Sequence, residues 1–126
     1  TIRRLAQERP ELKIVADQIG APTWSRFIAE ATAQILAQRL GRWEELSGTY
    51  HLAAAGETSW HGFAQAILGR PLPSTRLLPI STEEYPLPAA RPKNSRLCCD
   101  KLQREFGLSM PDWRVGLELC LEGLAA

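Results

Sequence analysis

The sequence predicts an α/β fold, and three observations carry that expectation. Short apolar runs with β-branched residues alternate with longer stretches of helical period. Gly, Pro and small polar residues punctuate nearly every junction between them. The chain has 126 residues, 44% of them hydrophobic and 23% charged, which suits one domain with a real core.

The elements follow in order. Thr1 to Arg9 has Ile2, Leu5 and Ala6 on a helical face and is ended by Pro10. The chain opens without Met on a helix already under way, so we expect a segment of a longer protein. Leu12 to Ala16, with Ile14 and Val15, reads as a buried strand. Gly20, Pro22 and Thr23 then mark a strand-to-helix junction, with Thr23 expected to cap the helix. That helix runs from Trp24 to Arg39 with Trp24, Phe27, Ile28, Ala31, Ile35 and Leu36 on one face, and Gly41 as its stop.

Thr49 to Ala54 reads as a second strand. Thr58 or Ser59 caps a helix carrying Trp60, Phe63, Ala64, Ile67 and Leu68, which stops at Gly69. Arg76 to Ile80 is a short third strand. Glu83 to Lys93 holds Pro86, Pro88 and Pro92 and reads as loop. Two helices close the chain, one from about Cys99 to Phe106 before Gly107. The other starts at Asp112, with Trp113, Leu117, Cys120, Leu121 and Leu124 on its apolar face and Arg114 and Glu118 on its wet side.

Composition excludes several classes. Net charge is +1 with scattered basic residues, which does not make a nucleic-acid surface. No apolar run is long enough for a membrane span, and we expect no signal peptide. Three cysteines, Cys98, Cys99 and Cys120, include a vicinal pair and suit a reducing, cytoplasmic setting, where they would act as small buried apolar residues. There is no G-x-G-x-x-G, no Walker loop, no zinc-ligand spacing and no Tyr followed four residues on by Lys. His51 and His61 read as structural or surface residues.

Two polar groupings remain. Gln18 places an amide where a strand ends, a position at which α/β folds put ligand contacts. The run Arg91 to Arg96, R-P-K-N-S-R, brings Arg91, Asn94, Ser95 and Arg96 together. It suits bidentate recognition of a diphosphate. It also suits a solvated loop whose polar groups tie down its own backbone.

D-Q-I-G-A-P-T from Asp17 and R-P-K-N-S-R-L from Arg91 together resemble the C-terminal part of the dTDP-4-dehydrorhamnose reductase family. The stretch from Gly48 to Ala64 and the ending from Met110 to Leu121 are similar to it as well. That family belongs to the extended short-chain dehydrogenase/reductases. The resemblance implies that residues 1–126 are the substrate-binding lobe, without the N-terminal Rossmann half. The intact enzyme would reduce dTDP-4-dehydro-6-deoxy-L-mannose to dTDP-L-rhamnose, for surface polysaccharide, with NADPH or NADH. The cofactor and the catalytic Tyr and Lys would lie outside this chain, as partners of the lobe.

Gln18, Arg91, Asn94 and Arg96 are the candidate substrate-binding residues, facing a dTDP-sugar. Some members of the family dimerise through magnesium held by glutamates. Arg26 stands where one such glutamate would fall, which argues against that metal here, although Glu122 is kept; a homo-oligomer without it is compatible. The resemblance also places a capping Asp or Asn at Cys98, and a longer segment than this chain has between Ile67 and Leu77. The alternative is a non-catalytic interaction module of the same fold, like a regulatory subunit of methionine adenosyltransferase. Another sugar-nucleotide epimerase or reductase of the superfamily fits the motifs less well.

Overall fold

The structure, a computed structural model, describes residues 1–38, 41, 44–69 and 75–123. The expectations at Arg39, at Leu124 and in the middle of the segment between Ile67 and Leu77 lie outside these residues. The chain divides into two compact units, Thr1–Gly20 with Glu57–Arg96, and Ala21–Gly56 with Leu97–Ala126.

The first unit is built on a parallel strand pair. Helix α1 (Ile2–Glu8) ends at Arg9, whose backbone turns extended ahead of Pro10. Strand β1 (Glu11–Val15) follows at once. It pairs in parallel with a strand far along the chain, Arg76–Ile80, in a register from Glu11↔Arg76 to Val15↔Ile80. Thr75 fastens the open end of the pair, its one hydroxyl proton shared between the carbonyls of Ala6 and Arg9.

Two short strands, β2 (Ile19–Gly20) and β3 (Thr58–Ser59), form an antiparallel pair. Helix α3 (Trp60–Leu68) starts directly after β3, and Ser59 caps it by accepting from the Gly62 amide at 3.0 Å. Strand β4 is the Arg76–Ile80 partner of β1. Helix α3 packs on α1, β1 and β4, and the core there is Ala6, Leu12, Ala64 and Ile80. The alanines let helix backbones come close to the sheet, while Leu12 and Ile80 fill the space between.

Ile19 has a second partner on its other side. Its amide donates to the Lys93 carbonyl at 2.8 Å, and its carbonyl accepts from the Ser95 amide at 2.9 Å. Gly20 leaves room for this tie, because a Cβ at that position would lie 2.7 Å from Ser95 Oγ and displace it. This tie draws the segment after the Pro-rich loop back to the end of β1.

The second unit is helical, with α2 (Ser25–Gln38), α4 (Asp100–Phe106) and α5 (Trp113–Glu122). Its buried residues include Ala31, Ala54, Leu102, Phe106 and Trp113. Gly116 lets α5 approach α2 closely: a Cβ there would sit 3.2 Å from the Phe27 ring and 3.3 Å from Trp24 Cβ. Asp112 caps α5 by accepting from the Arg114 amide. α4 closes with the left-handed Gly107.

Four expectations are corrected. Thr49 to Ala54 is not a strand, because no strand among the described residues pairs with it. Its polar backbone groups turn to side chains instead: Lys101 Nζ donates to the Thr49 carbonyl at 3.1 Å, and the Ala54 amide donates to Thr23 Oγ1 at 3.0 Å. Thr23 is therefore spent on that amide and on the Ala21 carbonyl, and does not cap α2. The N-cap of α4 is Cys99 rather than Cys98, and it makes no capping bond. The cysteines are not buried: Cys98 is exposed and the other two are intermediate.

Candidate functional site

The register of β1 and β4 creates the polar centre of the first unit. Continued two residues beyond Val15↔Ile80, it sets Asp17 opposite Thr82. Asp17 Oδ1 accepts from the Thr82 amide at 2.9 Å and from the Thr82 hydroxyl at 2.7 Å. Asp17 Oδ2 lies 3.1 Å from Lys93 Nζ, and Lys93 reaches Glu83 Oε1 at 3.2 Å. Gln18 Nε2 donates to Thr82 Oγ1 at 3.2 Å.

Charge follows from this geometry. The hydrogen bond from the Thr82 hydroxyl, with Lys93 beside it, holds the Asp17 carboxyl below the usual carboxylate range against the opposing effect of burial. A backbone amide bond and Lys93 hold Glu83 low as well. Asp17 first, and then Glu83, raise Lys93 above its ordinary value. All three groups are charged at neutral pH.

An open cavity of about 920 Å³ runs along β1 and past its end. Gln18, Thr82 and Glu83 line it at the strand ends, and Arg91 lines it from the returning loop. Trp60 and Tyr85 add aromatic surface, both more than half exposed. The arrangement joins a neutral amide, a guanidinium and flat ring faces on one concave surface, a set suited to a ligand with an anionic part and a polar ring.

The four candidate residues separate into two pairs. Gln18 and Arg91 share the cavity. Asn94 and Arg96 are not among its lining residues. Asn94 Oδ1 accepts from the backbone amide and the Nε of Arg96, at 3.1 and 2.9 Å, and Arg96 pairs with Glu57. Those two side chains hold their own loop and its neighbour.

The sequence reasoning missed Asp17, Thr82 and Lys93. Asp17 and Thr82 each lie two residues after an apolar strand, a signal that becomes readable once the strands are known to run parallel. His51 is exposed, with Nδ1 3.1 Å from the Cys98 carbonyl oxygen, and His61 is on α3; neither lines the cavity. Arg26 has a carboxylate partner, Glu30, at 2.9 Å on the next turn. Among the described residues no group of three or more His, Cys, Asp or Glu is placed to hold a metal, and no helix is long and apolar enough to cross a membrane.

Comparison with known proteins gives a consistent result. A family model described as the RmlD substrate binding domain matches residues 1–126. A dTDP-4-dehydrorhamnose reductase of Burkholderia thailandensis is 48% identical over 98% of this chain and 45% of its own length. A crystal structure of dTDP-4-dehydrorhamnose reductase from Bacillus anthracis in complex with NADP matches with a TM-score of 0.78 and 38% identity, over 93% of this chain and 40% of that one. The Clostridium acetobutylicum structure of the same name matches with a TM-score of 0.84 and 30% identity, over 99% and 42%. The chain thus spans less than half the length of these relatives.

Proposed function

The chain belongs to the RmlD substrate binding domain family, and from that premise we propose that it is the substrate-side lobe of a nicotinamide-dependent reductase that converts dTDP-4-dehydro-6-deoxy-L-mannose to dTDP-L-rhamnose. The observation that carries this reading is the meeting of Gln18 and Arg91 on one cavity past the end of a parallel strand. Open α/β sheets bind ligands outside the carboxyl ends of their strands. Arg91 takes the diphosphate through its guanidinium fork. Gln18 takes a polar group of the ring, and Trp60 or Tyr85 covers a flat face.

Reduced nicotinamide, NADPH or NADH, supplies the hydride when bound. The residues for its Gly-rich loop and for the Tyr and Lys of proton transfer do not occur in these 126 residues. We assign them to a Rossmann portion outside the chain. The work of this lobe is to position the sugar nucleotide and to keep water from it. Asn94 and Arg96 support that work by holding the segment that carries Arg91.

Steady-state kinetics of the full-length protein test the reading. Arg91→Ala raises the KM for the keto sugar nucleotide about tenfold, the loss of a charge-assisted hydrogen bond, and leaves the KM for NADPH unchanged. Arg96→Ala has a smaller effect, because its guanidinium already serves Glu57 and Asn94. An unaltered KM in Arg91→Ala removes the cavity from the site. Failure of the full-length protein both to bind dTDP-sugars and to turn over favours a non-catalytic interaction module.

A further inference from the structure

Three hydrogen bonds meet at Thr82. Its amide and its hydroxyl both reach Asp17 Oδ1, at 2.9 and 2.7 Å, and Gln18 Nε2 lies 3.2 Å from the hydroxyl oxygen. A hydroxyl has one proton to give, while its oxygen can accept. An ionised carboxylate only accepts, and Lys93 beside Asp17 favours the ionised form.

The Thr82 proton therefore goes to Asp17, and the Thr82 oxygen is left to accept. Only the NH2 side of the Gln18 amide can satisfy it. Turned the other way, the Gln18 carbonyl would face the Thr82 oxygen with no proton between them. The orientation of the amide is thus fixed by proton count. Gln18 Oε1 has no bonding partner among the described residues, and Gln18 lies on the cavity wall.

We infer that Asp17 and Thr82 are positioning residues that lock the Gln18 amide so that it presents a carbonyl acceptor to the cavity, which makes this point of the site selective for a ligand hydroxyl. The inference rests on the substrate-side reading above. A keto oxygen and a diphosphate are acceptors only and do not fit Gln18 Oε1. The hydroxyls of the sugar attached to that diphosphate are donors and do fit it.

The test uses the full-length protein with dTDP-L-rhamnose and dTDP as probes, titrated by calorimetry. Thr82→Val keeps the shape and removes the hydroxyl. It weakens dTDP-L-rhamnose about tenfold and dTDP by less than about twofold, as expected for one lost hydrogen bond to the sugar. Thr82→Ser restores binding, and Gln18→Ala combined with Thr82→Val is no worse than Gln18→Ala alone. If Gln18→Ala weakens dTDP-L-rhamnose and Thr82→Val does not, the positioning role is overturned and the substrate reading stands. If the wild-type protein binds neither probe, the substrate reading itself fails.

A second measurement needs no variant to fold. In the free wild-type protein, NMR shows the side-chain NH2 of Gln18 exchanging with solvent more slowly than that of an exposed glutamine, because one proton is held on Thr82 Oγ1. Exchange as fast as that of a fully exposed glutamine amide overturns the proposal.

Discussion

Lys93 sits between two carboxylates, 3.1 Å from Asp17 Oδ2 and 3.2 Å from Glu83 Oε1. Hydrogen bonds and charge depress both carboxyls and raise the ammonium. The depressed carboxyls contribute stability above their ordinary titration range and lose it as pH falls through their folded-state values. The raised ammonium contributes stability below its ordinary value and loses it as pH rises through the folded one. The contribution is therefore complete across neutral pH and declines at both extremes. Lys93→Met removes the alkaline limb and makes the acid limb shallower, since the Thr82 bond to Asp17 remains, in denaturant unfolding followed from acid to alkaline pH, and a stability difference that does not vary with pH contradicts the assignment. Gln18 and Arg91 could be picked from the sequence because an amide at a strand end and a guanidinium after a Pro-rich loop are unusual placements. Asp17, Thr82 and Lys93 could not, because Asp17 gets its meaning from partners far along the chain, Thr82 65 positions on and Lys93 further still.

At the scale of elements, helix period and punctuation read well. Ser59, Gly69, Gly107 and Asp112 end or begin helices where their chemistry predicts. The strand Arg76–Ile80 also falls where its composition places it. Thr49 to Ala54 shows the limit, since a β-favouring run becomes a strand only with a ladder partner. Ala54 finds the Thr23 hydroxyl instead. Helix burial was only half legible: on α2, Ala31 is buried while Ile28 and Leu36 are 38% and 48% exposed. The missing side chain at Gly116 leaves the room in which Phe27 and Trp24 pack on α5. Gly116→Val forces the Phe27 ring and Trp24 to move and costs about 1–3 kcal/mol by overpacking. Thermal or denaturant unfolding reads this directly, and an unchanged midpoint refutes the close approach.

For the whole molecule, the absence from these 126 residues of a phosphate-binding Gly loop and of a Tyr-x-x-x-Lys pair sets the expected outcome of one experiment. The chain expressed alone shows no NADPH oxidation with the keto sugar nucleotide, and measurable turnover overturns the division of labour proposed above. Arg26 commits its guanidinium to Glu30 at the position where the resemblance would place a magnesium-ligating glutamate. Removing divalent cations with EDTA therefore leaves the sedimentation behaviour of the full-length protein unchanged, and dissociation on chelation reverses that view. The family itself was legible from four separated motifs because their order and spacing extend along the chain.

The amino-acid sequence by itself determined the α/β class, most helix boundaries, the family and the absence of cofactor-binding motifs. These rest on local chemistry: the period of apolar residues, caps and stops, and motifs whose residues are close in the chain. The tertiary structure alone decided which polar side chains meet. The parallel register of β1 and β4 carries Thr82 to Asp17, and the tie of Ile19 to residues 93–95 brings Lys93 beside it. The D-Q dipeptide thereby becomes an anchored carboxylate and an amide with a defined orientation. A hydrogen bond acts over about 3 Å, so the partners of a polar group depend on the folded path of the chain.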